Sequence, residues 1–225
     1  NGSINSTVSA NVDAGFSIVS YTGNGSAGAT IGHGLNSIPE MIFLKSRTSS
    51  IAWGGQNATT GATKNLFLNQ TDAAESNILY WNNTAPTTSV FSLGASHVVN
   101  KSSDNYIAYC FHSVDGYSKV GSYTGNGVAD GPFVYTGFRP AFVLTKVTNA
   151  ADDWSIADYA RSPHNVAGES LRPNSNAAED SAADIDILSN GFKVRQADSH
   201  RINYSGDTFI YIAFAESPFK YSNAR

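Results

Sequence analysis

The most constraining feature of this sequence is a hexapeptide that occurs twice. The residues Ser-Tyr-Thr-Gly-Asn-Gly occupy 20–25 and recur letter for letter at 122–127. Further identities keep nearly the same spacing in both halves, and they include Pro39 and Pro140, Lys45 and Lys146, Trp53 and Trp154, and Asp104 and Asp207. Self-similarity at a fixed period indicates tandem structural units that are built alike.

The spacing of these anchors predicts two modules of similar topology, 15–115 and 116–225. Residues 1–14 are rich in Ser, Thr, Asn and Val, and we expect them to be a linker or an edge strand from an upstream segment. The tail at 217–222 occupies the place that 115–119 holds after the first copy, so the chain is expected to stop where a third copy would begin. The pattern therefore predicts an open-ended array of modules.

Composition favours strands over helices. Charged residues make up only 14% of the chain, aromatic residues reach 12%, and there are 20 glycines. The alternating segment 16–21 runs into Gly-Asn-Gly, which is typical of a strand that enters a hairpin turn. The best helix candidates are single turns at 72–75 and 177–180. The predicted fold class is all-β, with two tandem β-sandwich-like modules related by the internal repeat.

Charge and hydropathy exclude several classes of partner. The formal net charge is −4, and the 14 lysines and arginines form no basic run, so we expect no nucleic-acid partner. The longest apolar runs, such as 41–44, are far too short to span a bilayer, so we expect no membrane insertion. Cys110 is the single cysteine and lies in an apolar run, which predicts a buried core residue without a disulfide.

Known catalytic and cofactor motifs do not fit the chain. Gly23, Gly25 and Gly28 match a dinucleotide-binding spacing, but further glycines follow where that motif needs a helix, and Asp130 replaces the third glycine in the second copy. A hairpin turn is the better interpretation. The histidines, His33 among them, lack metal-binding spacing, and no serine lies in a Gly-x-Ser-x-Gly elbow. We predict no catalytic residue, no metal and no cofactor.

Acidic residues concentrate in the second copy and leave two interpretations open. Solvated loop charges explain them, but so would an acquired calcium site or a pair of glycan-cleaving carboxylates. For a glycan-cleaving enzyme the residues to test would be Asp184 and Asp186. The full set comprises Asp152, Asp153, Asp158, Glu169, Glu179, Asp180, Asp184 and Asp186.

Aromatic residues divide into shared and copy-specific positions. Trp53 and Trp154 share a repeat position, which favours a packing role in the common fold. Trp81 has no counterpart in the second copy, and aromatic faces beside amides suit sugar rings, although packing would also explain it. The candidate ligand-binding residues for a host surface glycan are Tyr80, Trp81 and Asn82 in the first copy and Tyr159 and Arg161 in the second.

Several longer phrases carry a resemblance to a known group of proteins. They are Gly-Phe-Ser-Ile-Val-Ser-Tyr-Thr-Gly-Asn-Gly at 15–25, Ile-Gly-His-Gly-Leu at 31–35, Tyr-Ile-Ala-Tyr-Cys-Phe at 106–111, Gly-Pro-Phe-Val-Tyr-Thr-Gly-Phe-Arg-Pro at 131–140 and Pro-Phe-Lys-Tyr at 218–221. Together they resemble a repeat module near the C-termini of tail-fibre-like and other structural proteins of bacteriophages, especially marine ones. The resemblance covers nearly the whole chain and supplies no catalytic or ligand residues to carry over.

The resemblance implies a non-enzymatic virion structural protein, in a tail fibre or appendage segment that contributes to host attachment. A capsid-surface decoration or head-fibre protein is the nearest alternative. A carbohydrate-binding adhesin module would share the fold, and a glycan-cleaving enzyme stays open because fold does not fix function. The expected partners are other virion proteins, further copies of the chain and host surface glycan. The expected location is the virion surface, on a tail or appendage rather than the capsid.

Overall fold

The computed structural model describes residues 2–181 and 183–217. This part of the chain contains seventeen strands and two four-residue helices, which confirms the all-β prediction. Two compact units are present, the first formed by Asn1–Asn69 and Ala74–His112 and the second by Gln70–Ala73 and Ser113–Arg225. The predicted beginning of a third copy lies, from Pro218 onward, outside the described residues.

The first unit is built on a seven-stranded antiparallel sheet in the order β1-β2-β9-β4-β5-β6-β7, with a separate pair β3-β8. Its last strand, β9, lies between β2 and β4. Residues 6–11, from the segment predicted as linker or edge strand, form the outermost strand β1. The elements are β1 (Ser6–Asn11), β2 (Phe16–Thr22), β3 (Ala29–Gly32), β4 (Met41–Ser46), β5 (Gly54–Asn57), β6 (Lys64–Phe67), β7 (Glu75–Ser76), α1 (Ile78–Trp81), β8 (Val90–Leu93), α2 (His97–Asn100) and β9 (Asn105–Phe111).

The second unit has a five-stranded sheet in the order β10-β17-β12-β13-β14 and a three-stranded sheet in the order β11-β16-β15. Its last strand, β17, lies between β10 and β12, as β9 lies between β2 and β4. The internal repeat of the whole backbone stays a prediction. The strands are β10 (Ser118–Thr124), β11 (Phe133–Tyr135), β12 (Pro140–Val147), β13 (Ser155–Asp158), β14 (Ser170–Leu171), β15 (Ile185–Leu188), β16 (Gly191–Val194) and β17 (Thr208–Ala215).

The core of the first unit lies between the large sheet and the β3-β8 pair. Val19 and Tyr21 alternate inward along β2, whereas Ile18 points to the other face, as a strand with one buried side requires. Phe91 on β8 is fully buried in the same cluster. Cys110 is buried there as a free thiol, and burial raises its pKa to about 12. The thiol is therefore an inert packing group.

The core of the second unit has the same two-layer character. Val143 on β12 and Ala213 on β17 supply buried side chains from the five-stranded sheet. Val134 on β11 and Phe192 on β16 supply them from the three-stranded sheet. The Phe192 ring meets the rings of Tyr123 and Tyr211 edge to face, an arrangement that favours a defined packing over a loose one.

The two single helical turns expected at 72–75 and 177–180 do not form. Residues 72–74 are irregular and Glu75 begins β7. Residues 177–179 are also irregular, and Asp180 forms an isolated β-bridge with Ser170. The helices begin instead after Asn77 and Ser96, whose side chains accept the backbone N–H groups that open α1 and α2. Capping residues thus decided the position of these turns, and the Ala-Ala-Glu pattern did not.

Candidate functional site

The predicted hairpin at the repeated hexapeptide is wrong, because the strands on either side of it, β2 and β3, lie in different sheets. In the first unit the hexapeptide instead forms a turn between sheets that a buried asparagine holds closed. Asn100 is fully buried, and its Oδ1 accepts the N–H of Asn24 at 2.9 Å. Its Nδ2 donates to the carbonyl oxygens of Ser26 at 3.0 Å and Gly94 at 3.1 Å. The amide side chain therefore ties the turn to the interior of the unit, where an unpaired amide would be costly.

The second unit contains the corresponding set of hydrogen bonds. Asn203 is fully buried, and its Oδ1 accepts the N–H of Asn126 at 2.9 Å. Its Nδ2 donates to the carbonyl oxygens of Val128 at 2.8 Å and Gln196 at 2.7 Å. We call the hexapeptide turn together with its buried asparagine the turn clamp of each unit.

The tyrosine and glycines of the hexapeptide complete the turn clamp. The Tyr21 hydroxyl donates to the Val99 carbonyl oxygen at 2.6 Å, and the Tyr123 hydroxyl donates to the Ile202 carbonyl oxygen at 2.9 Å. Burial raises the pKa of both hydroxyls well above the ordinary value, so neither titrates near neutrality. A Cβ on Gly23 would collide with the Lys101 carbonyl oxygen. The turn is closed internally and is no phosphate-binding loop.

The lysine and the tryptophan that recur in both halves of the chain also make contacts within their own unit. Lys45 Nζ donates to the Ile51 carbonyl oxygen at 2.6 Å, and Lys146 Nζ donates to the Asp152 carbonyl oxygen at 2.8 Å. Burial lowers the pKa of Lys146 to about 8. The tryptophans next to these turns donate their backbone N–H groups to asparagine side chains, Trp53 to Asn69 Oδ1 at 2.8 Å and Trp154 to Asn174 Oδ1 at 2.9 Å.

Trp81 lies in the core of the first unit and has no exposed ring face. Its side chain is fully buried, and its indole Nε1 has no hydrogen-bond partner among the described residues. The expectation that Trp81 presents an aromatic face to a sugar is therefore wrong. Helix α1 carries the Trp81 ring into the core, and the described residues of the second unit contain no helix.

Tyr80 and Asn82 also have structural roles in α1. Tyr80 is buried, packs edge to face against Phe67, and donates its hydroxyl to Glu75 Oε2 at 3.0 Å. Asn82 ends the helix with a left-handed backbone at φ 53°, and its N–H donates to the Ile78 carbonyl oxygen. The three candidate residues of the first copy are adjacent in the structure, but they form a helix end and not an open binding face.

Tyr159 and Arg161, the candidates in the second copy, take part in separate contacts. The half-buried Tyr159 ring lies 5.1 Å from the Arg139 guanidinium, within reach of a cation–π interaction. Arg161 is paired with Asp158 at 3.1 Å and with Glu179 at 2.7 Å. Arg161 also lines an open groove of about 330 Å³ together with Pro163, His164 and Glu169. Tyr159 does not line this groove.

Most acidic residues of the second copy are paired with arginine. Arg201 is buried and binds Asp180 through both guanidinium nitrogens, at 2.6 and 2.9 Å. Arg172 joins Asp180 to Asp153 in the same network. Within residues 2–181 and 183–217, no three His, Cys, Asp or Glu side chains come close enough to share a metal ion. These carboxylates are thus neutralised by arginine inside the unit.

Asp184 differs from the other acids of the second unit. Its Oδ1 is buried without a hydrogen-bond partner in the described residues, and desolvation raises the pKa of the carboxyl. Asp186, two residues further along the chain, pairs with Arg195 at 3.3 Å. The two carboxylates named by the enzyme hypothesis therefore differ in environment, but only Asp184 lacks a basic partner among the described residues.

His33 is a buried packing residue. Its Nε2 lies 3.1 Å from the Thr87 carbonyl oxygen, and its Nδ1 accepts the N–H of Leu35 at 3.3 Å. This pattern assigns the neutral tautomer with the proton on Nε2. Burial lowers the pKa of the imidazole, which keeps it neutral near physiological pH.

The sequence interpretation missed a set of exposed apolar side chains on β11. Phe133 is 48% exposed and Tyr135 is 64% exposed, although both lie in a strand of the phrase 131–140. The alternation of Phe133, Val134 and Tyr135 places one buried residue between two exposed aromatic rings. That pattern is a surface signal, since large apolar side chains in a strand are normally covered.

Comparison with known proteins identifies the family alone. No helix in the described residues is both long and apolar enough to cross a membrane. No curated protein and no solved structure matches the chain. A family described as a domain of unknown function, DUF7483, matches residues 1–218. Because this match extends through both units, the protein belongs to the DUF7483 family.

Proposed function

We propose that this protein is a non-enzymatic structural component of a bacteriophage virion, located in a tail fibre or similar appendage that contributes to host attachment. The phrases at 15–25, 106–111 and 131–140 support the virion location through their resemblance to phage structural proteins. The turn clamps support a structural role, because their polar atoms bond within each unit. Other virion proteins and further copies of the chain are the proposed partners.

Arginine pairing of the acidic residues is the observation that carries the non-enzymatic part of the proposal. Glycoside hydrolysis needs two carboxyl groups across an open site, about 5–10 Å apart. The groove beside Arg161 is lined by a single carboxylate, Glu169, among the described residues. Asp180 and Asp158 are held by arginines instead. Among the described residues, this groove therefore offers no second carboxylate for such a pair, which supports the non-enzymatic proposal.

A carbohydrate-binding adhesin module is the second candidate function. The groove of about 330 Å³ beside Arg161 favours it, because exposed His164 and the Arg161 guanidinium could donate hydrogen bonds to a sugar. In this arrangement the groove would contribute the host contact of the proposed appendage. A capsid-surface decoration protein is the alternative virion location, and the fold is equally compatible with it.

Antibody labelling of intact, purified phage particles tests the proposed location. We expect gold-labelled antibody against the chain to decorate the tail or an appendage, and pre-immune serum to leave the particles unlabelled. Capsid labelling would support decoration instead. Absence of the chain from purified particles, measured by mass spectrometry, would contradict both virion locations.

A sugar-release assay on host polysaccharide accompanies the labelling and tests the non-enzymatic part. We expect no sugar release by the purified chain. Release that disappears in Asp184→Asn or Asp186→Asn but persists in Asp13→Asn, an exposed acid of the first unit, would show that the protein is an enzyme.

A further inference from the structure

Strand β1 is an uncharged edge of the first unit. It is outermost in the seven-stranded sheet, and its sequence Ser-Thr-Val-Ser-Ala-Asn contains no charged residue and no proline. All of its residues after Ser6 are exposed, including Val8 at 38%. An edge strand of this kind presents unpaired backbone N–H and C=O groups to any strand that can lie beside it.

Strand β11 is an uncharged edge of the second unit. It is outermost in its three-stranded sheet and pairs with β16 on one side only. The bonds Val194 N–H to Pro132 O and Thr136 N–H to Asn190 O turn the even-numbered residues toward β16. The N–H groups of Phe133 and Tyr135 consequently point outward, and none of the contacts within the described residues satisfies them.

Three other outermost strands, β3, β10 and β15, carry protection of the kind that natural sheets use against edge pairing. The edge of β3 is occupied by Ile4, whose N–H donates to the Thr30 carbonyl oxygen at 3.1 Å. The start of β10 is capped by Ser113, whose Oγ accepts the N–H of Val120 at 3.0 Å. β15 carries Asp186, a charged residue. β1 and β11 carry no charge and no proline, and no strand in the part of the chain that the structure describes pairs with their outer sides.

Strand β3 of the first unit is paired in the same way as β11 of the second unit, and its outer side is covered by another strand segment. β3 pairs with β8 through Ile31 opposite Phe91, and β11 pairs with β16 through Val134 opposite Phe192, with all four side chains buried. In the first unit the outer side of this position is covered by the extended segment around Ile4, which forms a parallel bridge with Ile31. An extended strand is therefore the kind of chain that fits there.

Packing around two glycines shows the same difference. A Cβ on Gly34 would lie 2.9 Å from Val8 Cγ1 and 3.4 Å from Ala10 Cβ, so the N-terminal segment closes over it. A Cβ on Gly137, which follows β11, would meet only the Tyr135 ring. A groove of about 210 Å³ separates Tyr135 and Gly137 from the segment that contains Asp115 and Lys119. Within residues 2–181 and 183–217, no strand pairs with the outer side of β11.

We propose that β1 of one copy pairs with β11 of a second copy, so that successive copies join head to tail through their sheet edges. Each copy has one edge of each kind, so the contact uses two different surfaces and leaves one of each open for the next copy. Backbone hydrogen bonds would provide the pairing, and burial of Phe133 and Tyr135 would add apolar contact. The inference rests on the self-association included in the proposed function.

Two single-charge variants test the pairing. Val8→Lys places a charge on β1, and Tyr135→Lys places one on β11 at an exposed position. Each variant alone should associate at least about tenfold more weakly than the unsubstituted chain in sedimentation velocity. A mixture of the two should form a 1:1 dimer, because one chain retains an intact β11 edge and the other retains an intact β1 edge.

The pattern of outcomes separates this arrangement from its rivals. If Tyr135→Lys alone forms dimers and Val8→Lys alone does not, β1 pairs with itself. If Val8→Lys alone forms dimers and Tyr135→Lys alone does not, β11 pairs with itself. Failure of the mixture to dimerise would also overturn the proposal. Leu79→Lys, at a 48% exposed position of α1, is the matched control and should associate like the unsubstituted chain.

Folding and function are controlled separately. Thermal unfolding should give the same midpoint for all variants. If Val8→Lys is destabilised, Thr7→Lys replaces it on β1, and if Tyr135→Lys is destabilised, Phe133→Lys replaces it on β11, since both positions are exposed. An unsubstituted chain that stays monomeric at high concentration would overturn this inference and the self-association on which it rests. The virion location is decided independently by antibody labelling.

Discussion

Asn100 and Asn203 connect the surface turn of each unit to its interior. Each side chain is fully buried and uses its oxygen and its nitrogen in hydrogen bonds with backbone groups. Replacing a buried amide by an apolar side chain leaves those backbone partners without a hydrogen bond. The turn and the core of each unit should therefore lose stability together when the asparagine is changed.

Asn203→Ala should lower the free energy of unfolding by about 2–4 kcal/mol, because three backbone groups lose their buried partner. Urea unfolding followed by circular dichroism measures the difference. Asn176→Ala is the control, since Asn176 is exposed and the expected change is within about 0.5 kcal/mol. Equal effects of the two substitutions would contradict the role assigned to Asn203.

The sequence predicted a change of chain direction at the hexapeptide, but it predicted a hairpin where the chain crosses between sheets, and it did not identify the residue that closes the turn. A signal was present, because Asn100 lies four residues before Asp104 and Asn203 lies four residues before Asp207. Asparagine is common in loops, so its presence in both copies did not distinguish a buried clamp from a solvated turn. Burial of that side chain depends on the chain returning to the hexapeptide, which no local pattern records.

At the scale of the element, the short helix α1 explains why Trp81 was misassigned. A residue present in one copy alone looked free to serve a ligand, whereas it packs in a core that the other copy builds differently. Strand patterns were easier to predict, because alternation of buried and exposed side chains has a period that the sequence shows directly. A four-residue helix has too few turns to show such a period.

Trp81→Ala should destabilise the first unit by about 3–5 kcal/mol, because it removes a fully buried ring and leaves a cavity. Leu79→Ala, in the same helix at an exposed position, should cost less than about 1 kcal/mol. Denaturant unfolding of both variants makes the comparison. A folded Trp81→Ala chain of normal stability that loses host binding would restore the ligand role of Trp81.

Sheet edges could not be predicted from the sequence, because a strand is an edge only by virtue of its place in the sheet order. The segment 6–11 was expected as a linker or edge strand, but nothing local indicated that β11 would lie at the rim with two aromatic rings exposed. The phrase containing Phe133 and Tyr135 is as apolar as the strands that are buried. Its exposure follows from the pairing of β11 with β16 alone.

The arginine pairing of the acidic residues in the second unit could not be predicted from the sequence. Asp153, Asp180 and their arginine partners Arg172 and Arg201 come together from separate parts of the chain. Composition left solvated charges, a calcium site and a catalytic pair as alternatives, and spacing could not choose between them. The all-β class and the buried cysteine were predictable, since they depend on local composition and on apolar runs.

The turn clamps, the lysine contacts and the order of the central strands recur in both units, which supports the two-module architecture. A crystal structure of the chain, with the strands of one unit superposed on those of the other, tests it most directly. We expect Trp53 to fall on Trp154 and Asn100 to fall on Asn203, each closer than the roughly 4.8 Å that separates neighbouring strands. Tryptophans on different strands after superposition would contradict the architecture.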